Sequence, residues 1–308
     1  MNIALCGLGV QGSKRKALLD ENQVFTIDPV NTKANYKTLG QAQNENFEAV
    51  FICTPDSEKF ALLMESLSLG KHVLIEKPLH LSREEFLMAR NLSKAKNLTI
   101  YEAYNHRFEP HIMSVKRALD NSLIGDIYRV RVFYGNGTAR LVKQSSWRDS
   151  GDGVLTDLGS HLCDLLLYFF GKRNFKVDYV NREKLENLSP DYVLTQLSEK
   201  FTVLMEMSLL NWKNTFTLEI IGSNGSIHVD GLCKWGPSVL TIRKRILPSG
   251  VPEENIEILE MSDPTWEAEA KHFFNLVASR DGGNLENSEY LTNLMNAITH
   301  YSRDSQCL

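Results

Sequence analysis

Asp157 and His161 lie four residues apart in a stretch whose apolar residues have helical spacing. In an α-helix, residues i and i+4 share one face, so the carboxylate and the imidazole are expected to be neighbours. An imidazole titrates near neutral pH and a carboxylate can orient it, which suits a general acid–base pair. The alternative is an ordinary Asp–His pair on the solvent side of a helix.

The same predicted helix has apolar residues on most of its faces, because leucines occupy positions 155, 158, 162 and 165–167. We therefore expect it to be largely buried, and a buried carboxylate–imidazole pair is a better proton-transfer device than a solvated one. Its polar residues form a second stripe at i, i+4, i+7 and i+11: Asp157, His161, Asp164 and Tyr168.

A third candidate, Lys77, follows a short apolar run with the composition of a buried strand, residues 73–75. Pro78 cannot donate a hydrogen bond to a sheet, so the strand is predicted to end before it. In open α/β sheets ligands bind at the carboxyl ends of the strands. Lys77 is therefore placed to hydrogen-bond a substrate oxygen and stabilise its developing charge. A solvated lysine in an ordinary turn is the alternative.

The first residues contain a dinucleotide-binding fingerprint, Gly7-x-Gly9-x-x-Gly12, between a predicted strand at 3–6 and a predicted helix at 13–20. The three glycines allow a tight turn, close approach of the backbone to a pyrophosphate, and close helix–strand packing. The helix start adds N–H donors and a favourable dipole. This context predicts a bound nicotinamide dinucleotide.

The next predicted strand, at 24–27, ends in Asp28. A carboxylate at this position accepts hydrogen bonds from ribose hydroxyls and repels a 2′-phosphate, so we predict NAD rather than NADP as the cofactor. Arg15 is close enough in sequence to modify that preference.

Alternation of strands and helices predicts the fold of the first part of the chain. Further strands are predicted at 49–53 and 98–101 and helices at 57–69 and 82–95, which gives an α/β, doubly wound parallel sheet. After Gly125 the pattern changes to short, partly alternating strands, with Asn224-Gly225 as a hairpin turn. We predict an N-terminal Rossmann domain at 1–119 and, at 120–308, a C-terminal α+β domain with a large, mostly antiparallel open sheet.

Composition excludes several classes of protein. The 308 residues have a net charge of −4, so nothing favours binding to nucleic acid or to an anionic membrane. No apolar run is long enough to span a bilayer and no signal peptide is recognisable. The five cysteines are scattered and the eight histidines dispersed, so neither a disulfide framework nor a metal site is predicted. A reducing cytoplasm is the expected location.

Two motifs together resemble the Gfo/Idh/MocA family, the relatives of glucose–fructose oxidoreductase and inositol dehydrogenase. The first motif is the glycine fingerprint followed by Thr54-Pro55 and by Gly-Lys-His-Val-Leu-Ile-Glu-Lys-Pro at 70–78. The second is Asp-x-Gly-x-His-x-x-Asp at 157–164. The order and spacing fit along nearly the whole chain. One departure is Lys59, where the family often has histidine.

The resemblance implies NAD(P)-dependent hydride transfer between the cofactor and a secondary alcohol or ketone of a sugar, sugar nucleotide or polyol. It also implies a catalytic set of Lys77, Asp157 and His161. The predicted cofactor-binding residues are Gly7, Gly9, Val10, Gln11, Gly12, Asp28, Thr54, Pro55, Glu76 and Lys77. The predicted substrate-binding residues are Tyr104, Arg107, Trp147, Asp157 and His161.

Other functions remain open on the sequence. The same residues would serve an NAD-dependent glycosidase that works by oxidation, elimination and re-reduction. A non-catalytic NAD-binding protein is a third hypothesis, although a binder does not need Lys77, Asp157 and His161 as a set. The loop before the predicted catalytic helix carries three basic residues: Arg140, Lys143 and Arg148. They are candidates to bind an anionic group such as a nucleotide diphosphate; the alternative is that they only interact with solvent.

The open sheet predicts a homodimer or homotetramer.

Overall fold

The computed structural model describes residues 1–20 and 24–302. Cys307 lies outside these residues. Among these residues the chain forms two compact units that are discontinuous in sequence: unit 1 comprises Met1–Asn105 and Thr265–Thr292, and unit 2 comprises His106–Pro264 and residues 293–302. The domain division at residue 119 stays a prediction. Among the described residues, no helix is both long and apolar enough to cross a membrane.

The strands in chain order are β1 (Ile3–Cys6), β2 (Val24–Ile27), β3 (Ala49–Ile52), β4 (His72–Glu76), β5 (Ile100–Ala103), β6 (Ile127–Gly135), β7 (Lys176–Glu183), β8 (Tyr192–Ser198), β9 (Thr202–Ser208), β10 (Thr215–Gly222), β11 (Gly225–Asp230), β12 (Ser238–Lys244) and β13 (Glu253–Leu259). The α-helices are α1 (Val10–Lys16), α2 (Asp56–Ser68), α3 (Arg83–Lys96), α4 (Pro110–Asp120), α5 (Ala139–Lys143), α6 (Ser160–Phe170), α7 (Thr265–Ala278) and α8 (Leu285–Thr299).

Unit 1 contains a five-stranded parallel sheet in the order β2-β1-β3-β4-β5. Its strands are almost entirely buried because helices cover both faces, as the continuous apolar runs of the sequence predict. Leu63, Leu67 and Phe86 from α2 and α3 belong to one core. On the other face Phe273 of α7 contacts Phe51 edge-on, with ring centroids 5.5 Å apart. The predicted α/β architecture is confirmed.

Helix boundaries in unit 1 follow local capping. The helix predicted at 13–20 instead begins at Val10 and ends at Lys16, because the extended backbone of Gly9 starts it within the fingerprint. The first helical hydrogen bond runs from Ser13 N to Gly9 O at 2.9 Å. By contrast, α3 starts where predicted: Ser82 and Glu85 each accept a hydrogen bond from the other's backbone N–H.

Unit 2 is built on an eight-stranded sheet in the order β13-β12-β11-β10-β6-β9-β8-β7. All neighbouring strands are antiparallel except β6 and β9, so the predicted mostly antiparallel sheet is confirmed. The hairpin predicted at Asn224-Gly225 joins β10 to β11. Strand β7 was not predicted, because its residues are mostly half-buried and lack a clear apolar alternation.

The sheet of unit 2 has one covered face and one open face. Along β8, β9 and β10 buried and half-buried residues alternate, so each strand directs every second side chain into the core. The residues preceding α6 pack on the covered face: a Cβ added at Gly159 would lie 2.7 Å from the Met207 Sδ. On the other face, cross-strand charges pair, including Arg129 with Glu219 at 3.2 Å.

Candidate active site

The glycine loop between β1 and α1 has the shape that its sequence predicts. Gly7 has a φ of +90°, in the region that favours glycine, and a Cβ at Gly12 would lie 1.8 Å from the Gly7 carbonyl oxygen. A Cβ at Gly9 would meet no atom of the described residues within 4 Å, so the backbone there faces open space. Within the described part of the chain, no side chain caps the start of α1. This loop therefore fits the pyrophosphate of a dinucleotide.

Asp28, at the end of β2, is held by backbone N–H groups. One carboxylate oxygen accepts from Leu8 N at 2.8 Å, and the other accepts from Val30 and Asn31 at 2.9 and 2.8 Å. Desolvation alone would raise the pKa of this carboxyl, but the backbone donors outweigh it and the pKa lies below its ordinary value. Asp28 is therefore a fixed negative charge that links β2 to the glycine loop.

Arg15 is buried and does not lie on the surface as a phosphate-binding group would. Its Nε donates to Glu76 at 2.8 Å and its Nη2 to Glu269 at 2.6 Å. Its guanidinium also lies over the Trp266 ring, 4.7 Å from the centroid. These contacts commit the charge of Arg15 to the interior of unit 1, and they give Glu76, a predicted cofactor-binding residue, a partner on α1.

The segment that carries Lys77 is fixed by side chains from three other elements. Lys59 Nζ donates to the Pro78 carbonyl at 2.7 Å. Glu102 accepts from Leu79 N at 2.7 Å, and Thr292 Oγ1 donates to Leu79 O at 3.0 Å. Lys59 is only 3% exposed. The lysine that departs from the family pattern thus acts as a structural support for the turn after β4.

In unit 2, the chain before α6 does not continue the α-helix that the sequence predicts. Residues Leu155–Gly159 form a π-helical turn, which is wider than an α-turn, and α6 begins at Ser160. The prediction of one regular α-helix through Asp157 and His161 is therefore wrong at residues 155–159, because a π turn takes more residues than an α turn. The pairing of the Asp157 carboxylate with the His161 imidazole stays a prediction. Arg148 Nη2 contacts the Asp157 carboxylate at 3.1 Å.

His161 lies on α6, which is buried nearly all round as predicted. Its ring stacks on that of His106, with centroids 4.0 Å apart and planes at 18°. The Tyr134 ring from β6 lies 6.1 Å away. Burial, aided by the Asp157 charge, raises the pKa of Tyr134 well above its ordinary value, so its phenol stays protonated. His161 thus lies in an aromatic environment formed by the rings of His106 and Tyr134.

Sequence reasoning missed two residues of this environment, Lys234 and Trp235, in the turn between β11 and β12. Lys234 Nζ lies 3.0 Å from His106 Nε2, and the Trp235 ring lies 5.6 Å from that of Tyr134. No local motif marks this turn, and only the register of β11 and β12 brings it here.

The predicted substrate-binding residues have varied surroundings. Arg107 Nε donates to the buried Asp164 at 2.8 Å and its guanidinium lies 5.4 Å from the Tyr168 centroid. Trp147 is 61% exposed on the loop before the π turn, whereas Tyr104 is 1% exposed in unit 1. A substrate-binding role for each stays a prediction.

Two family models match the chain. One, described as the oxidoreductase family with an NAD-binding Rossmann fold, covers residues 1–104, and the Gfo/Idh/MocA C-terminal domain covers residues 112–228. The chain belongs to the Gfo/Idh/MocA oxidoreductase family. The resemblance drawn from the sequence is confirmed, and this family member is an oxidoreductase with an NAD(P)-binding fold.

Known proteins resemble this family member at modest identity. Oxidoreductase P35 of Formosa agariphila is 25% identical over 302 residues, covering 94% of this chain and 91% of the relative. Glucose-6-phosphate 3-dehydrogenase of Bacillus subtilis is 25% identical over 223 residues, or 65% of this chain and 64% of that protein. The structure of levoglucosan dehydrogenase with NADH has a TM-score of 0.80 at 18% identity, covering 97% of this chain and 95% of that one.

Proposed function

We propose that this protein transfers a hydride between NAD(H) and a secondary alcohol or ketone of a sugar, sugar nucleotide or polyol. The observation that carries the proposal is the arrangement of one sheet edge in unit 1. β1, β3 and β4 are neighbours and parallel, so the glycine loop, Thr54-Pro55 and Lys77 all follow the carboxyl ends of adjacent strands. Ligands of open α/β sheets bind at this edge.

The residues of this chain have distinct parts in the proposed reaction. The nicotinamide, when bound, would accept the hydride from the carbinol carbon or return it. His161 takes the hydroxyl proton in the oxidation and gives it back in the reduction. Lys77 donates a hydrogen bond to the substrate oxygen as its charge develops. Asp157 supports the imidazolium that forms on His161 or binds a substrate hydroxyl.

The substrate class rests on the relatives, whose names refer to glucose 6-phosphate and levoglucosan. The substrate class can be tested by incubating the protein with NAD⁺ and a panel of sugars, sugar phosphates, inositols and sugar nucleotides. The absorbance of NADH then reports the oxidation of each compound. At least one compound should give NADH in proportion to substrate consumed. Substrate cleavage without net NADH formation would instead indicate the glycosidase reaction, and no turnover on any polyol class would contradict the proposal.

The protein should bind NAD(H) more tightly than NADP(H). The carboxylate of Asp28 is ionised, and it opposes a 2′-phosphate. Arg15, the cation close in sequence to the glycine loop, is paired with Glu76 and Glu269 and so does not offset this preference. Isothermal titration with each cofactor measures the difference. Tighter binding of NADP(H) would contradict the role assigned to Asp28.

We expect a homodimer or homotetramer formed through the open face of the unit 2 sheet. Leu194 and Leu204 are half-buried residues of β8 and β9 that alternate with core residues, so they lie on that face. Sedimentation at micromolar concentration should show an oligomer, and Leu194→Glu should shift it toward monomer. Leu188→Glu, at a loop residue that is 78% exposed, is the matched control. If the wild-type protein sedimented only as a monomer, the proposed assembly would be contradicted.

A further inference from the structure

The ring that stacks on His161 is the imidazole of His106. An apolar ring would stack equally well, so the presence of a second titratable ring needs an explanation. His106 is 2% exposed and His161 is 7% exposed, and their rings are nearly parallel at 4.0 Å. Two imidazolium rings at this separation would repel each other strongly. The stack is therefore compatible with His161 gaining a proton only while His106 remains neutral.

The Nζ of Lys234 lies 3.0 Å from the Nε2 of His106. A charged ammonium group can only donate a hydrogen bond, so with Lys234 in its charged form the Nε2 of His106 is the acceptor. The His106 ring then carries its proton on Nδ1 and is neutral. The half-buried ammonium also lies against the Trp235 ring, 4.9 Å from its centroid, which favours its charged form.

The turn that carries Lys234 is anchored to the segment that carries His106. Cys233 N donates to the carboxylate of Glu109 at 2.6 Å, and Ser238 Oγ lies 2.7 Å from His111 Nδ1. Glu109 and His111 are fully buried. Three side-chain contacts thus join residues 106–111 to residues 233–238, and Lys234 is held at one end of this connection.

We infer that Lys234 and His106 are positioning residues for His161. The inference rests on the proposed function, in which His161 is the general base. Lys234 fixes the plane and tautomer of His106, and the neutral His106 ring fixes the plane of His161. The Lys234 ammonium, which is separated from His161 by the His106 ring, also disfavours a positive charge on either imidazole. The stacked pair therefore stays unprotonated, and His161 can still accept a proton at a lower pH than it could without Lys234.

The other groups around His161 in unit 2 bear on its charge in opposite directions. In its proposed role the Asp157 carboxylate favours a protonated His161 imidazole, and Arg148, 3.1 Å from that carboxylate, partly neutralises its charge. Tyr134 is an uncharged phenol, and Arg107 and Asp164 form an ion pair one turn along α6. Lys234 is the cation whose effect reaches His161 through a stacked ring, and its removal is therefore expected to change the proton affinity of the pair.

Lys234→Met should lower kcat about tenfold, because His161 loses part of its fixed orientation. It should also move the acid limb of the kcat/KM–pH profile upward by about half a pH unit or more, since removing a positive charge stabilises the protonated base. Lys234→Arg retains the hydrogen-bond donor and the charge, so its kcat and the acid limb of its pH profile should stay close to those of the wild type. Lys244→Met, at an exposed residue of β12, removes an equal charge and should change neither.

Proton uptake can be observed directly by NMR of the histidine side chains in the folded protein without substrate. In the wild type, His106 should stay neutral with its proton on Nδ1 through the titration of His161. In Lys234→Met the stacked pair should take up its first proton at higher pH. Unchanged titration and an unchanged acid limb in Lys234→Met would overturn the inference. Failure of the proposed function is a separate result, because it would appear as full activity in His161→Ala.

Discussion

Replacing His161 with alanine should lower kcat by about a hundredfold to ten-thousandfold, the usual loss when a positioned general base is removed. The dissociation constant of NADH should stay close to that of the wild type, because the predicted cofactor contacts, the glycine loop and Asp28, belong to unit 1 whereas His161 belongs to unit 2. Steady-state kinetics on the substrate identified by the panel, with isothermal titration of NADH, measures both quantities.

His300→Ala, at an exposed residue, is the matched control and should retain wild-type kcat. Asp157→Asn keeps the shape of the carboxylate but loses its charge, so we expect a smaller loss than for His161→Ala. If His161→Ala kept near wild-type kcat between about pH 6 and pH 9, His161 would be structural. Tyr104 and His106 would then be the next candidates for the base.

Lys77→Ala should lower kcat by about a hundredfold or more, because it removes the side chain that we propose as hydrogen-bond donor to the oxygen on which charge develops. Cofactor affinity should also fall somewhat, since Lys77 follows β4 at the same sheet edge as the glycine loop. The backbone of the turn should survive the substitution: Lys59 and Glu102 hold it through Pro78 and Leu79, not through the Lys77 side chain.

A thermal unfolding curve separates loss of chemistry from loss of structure in this variant. Its midpoint should match the wild type, whereas Lys59→Met should lower it, because the Pro78 carbonyl would lose a buried donor. Lys94→Ala, at an exposed residue of α3, controls for loss of a lysine from unit 1. Wild-type kcat in Lys77→Ala would remove Lys77 from the catalytic set.

Short-range rules were sufficient for much of this protein. A parallel strand covered on both faces is apolar throughout, and a proline ends it, so the position of β4 and its end before Lys77 follow from residues 72–78 alone. The glycine fingerprint is equally local, because the close approach of Gly12 to the Gly7 carbonyl occurs within six residues of chain. The capping of α3 by Ser82 and Glu85 is of the same kind.

The same rules failed where packing changes local geometry. Residues 155–161 have regular α-helical spacing in sequence, but Leu155–Gly159 form a π turn, at whose end a Cβ added to Gly159 would lie 2.7 Å from the Met207 Sδ. Spacing rules assume a constant number of residues per turn, and tertiary contacts override that number.

By itself the sequence predicted the family and the two sheets, and both predictions are confirmed. It also proposed the residues for the main chemistry, Lys77, Asp157, His161 and the glycine loop with Asp28, whose roles stay predictions. The tertiary structure alone decided which charges support them. Arg15 meets Glu269 across 254 residues of chain, and Lys234 meets His106 across 128. Such pairs have no local signature, because a buried charge needs only a partner in space, and the fold brings that partner from any part of the sequence.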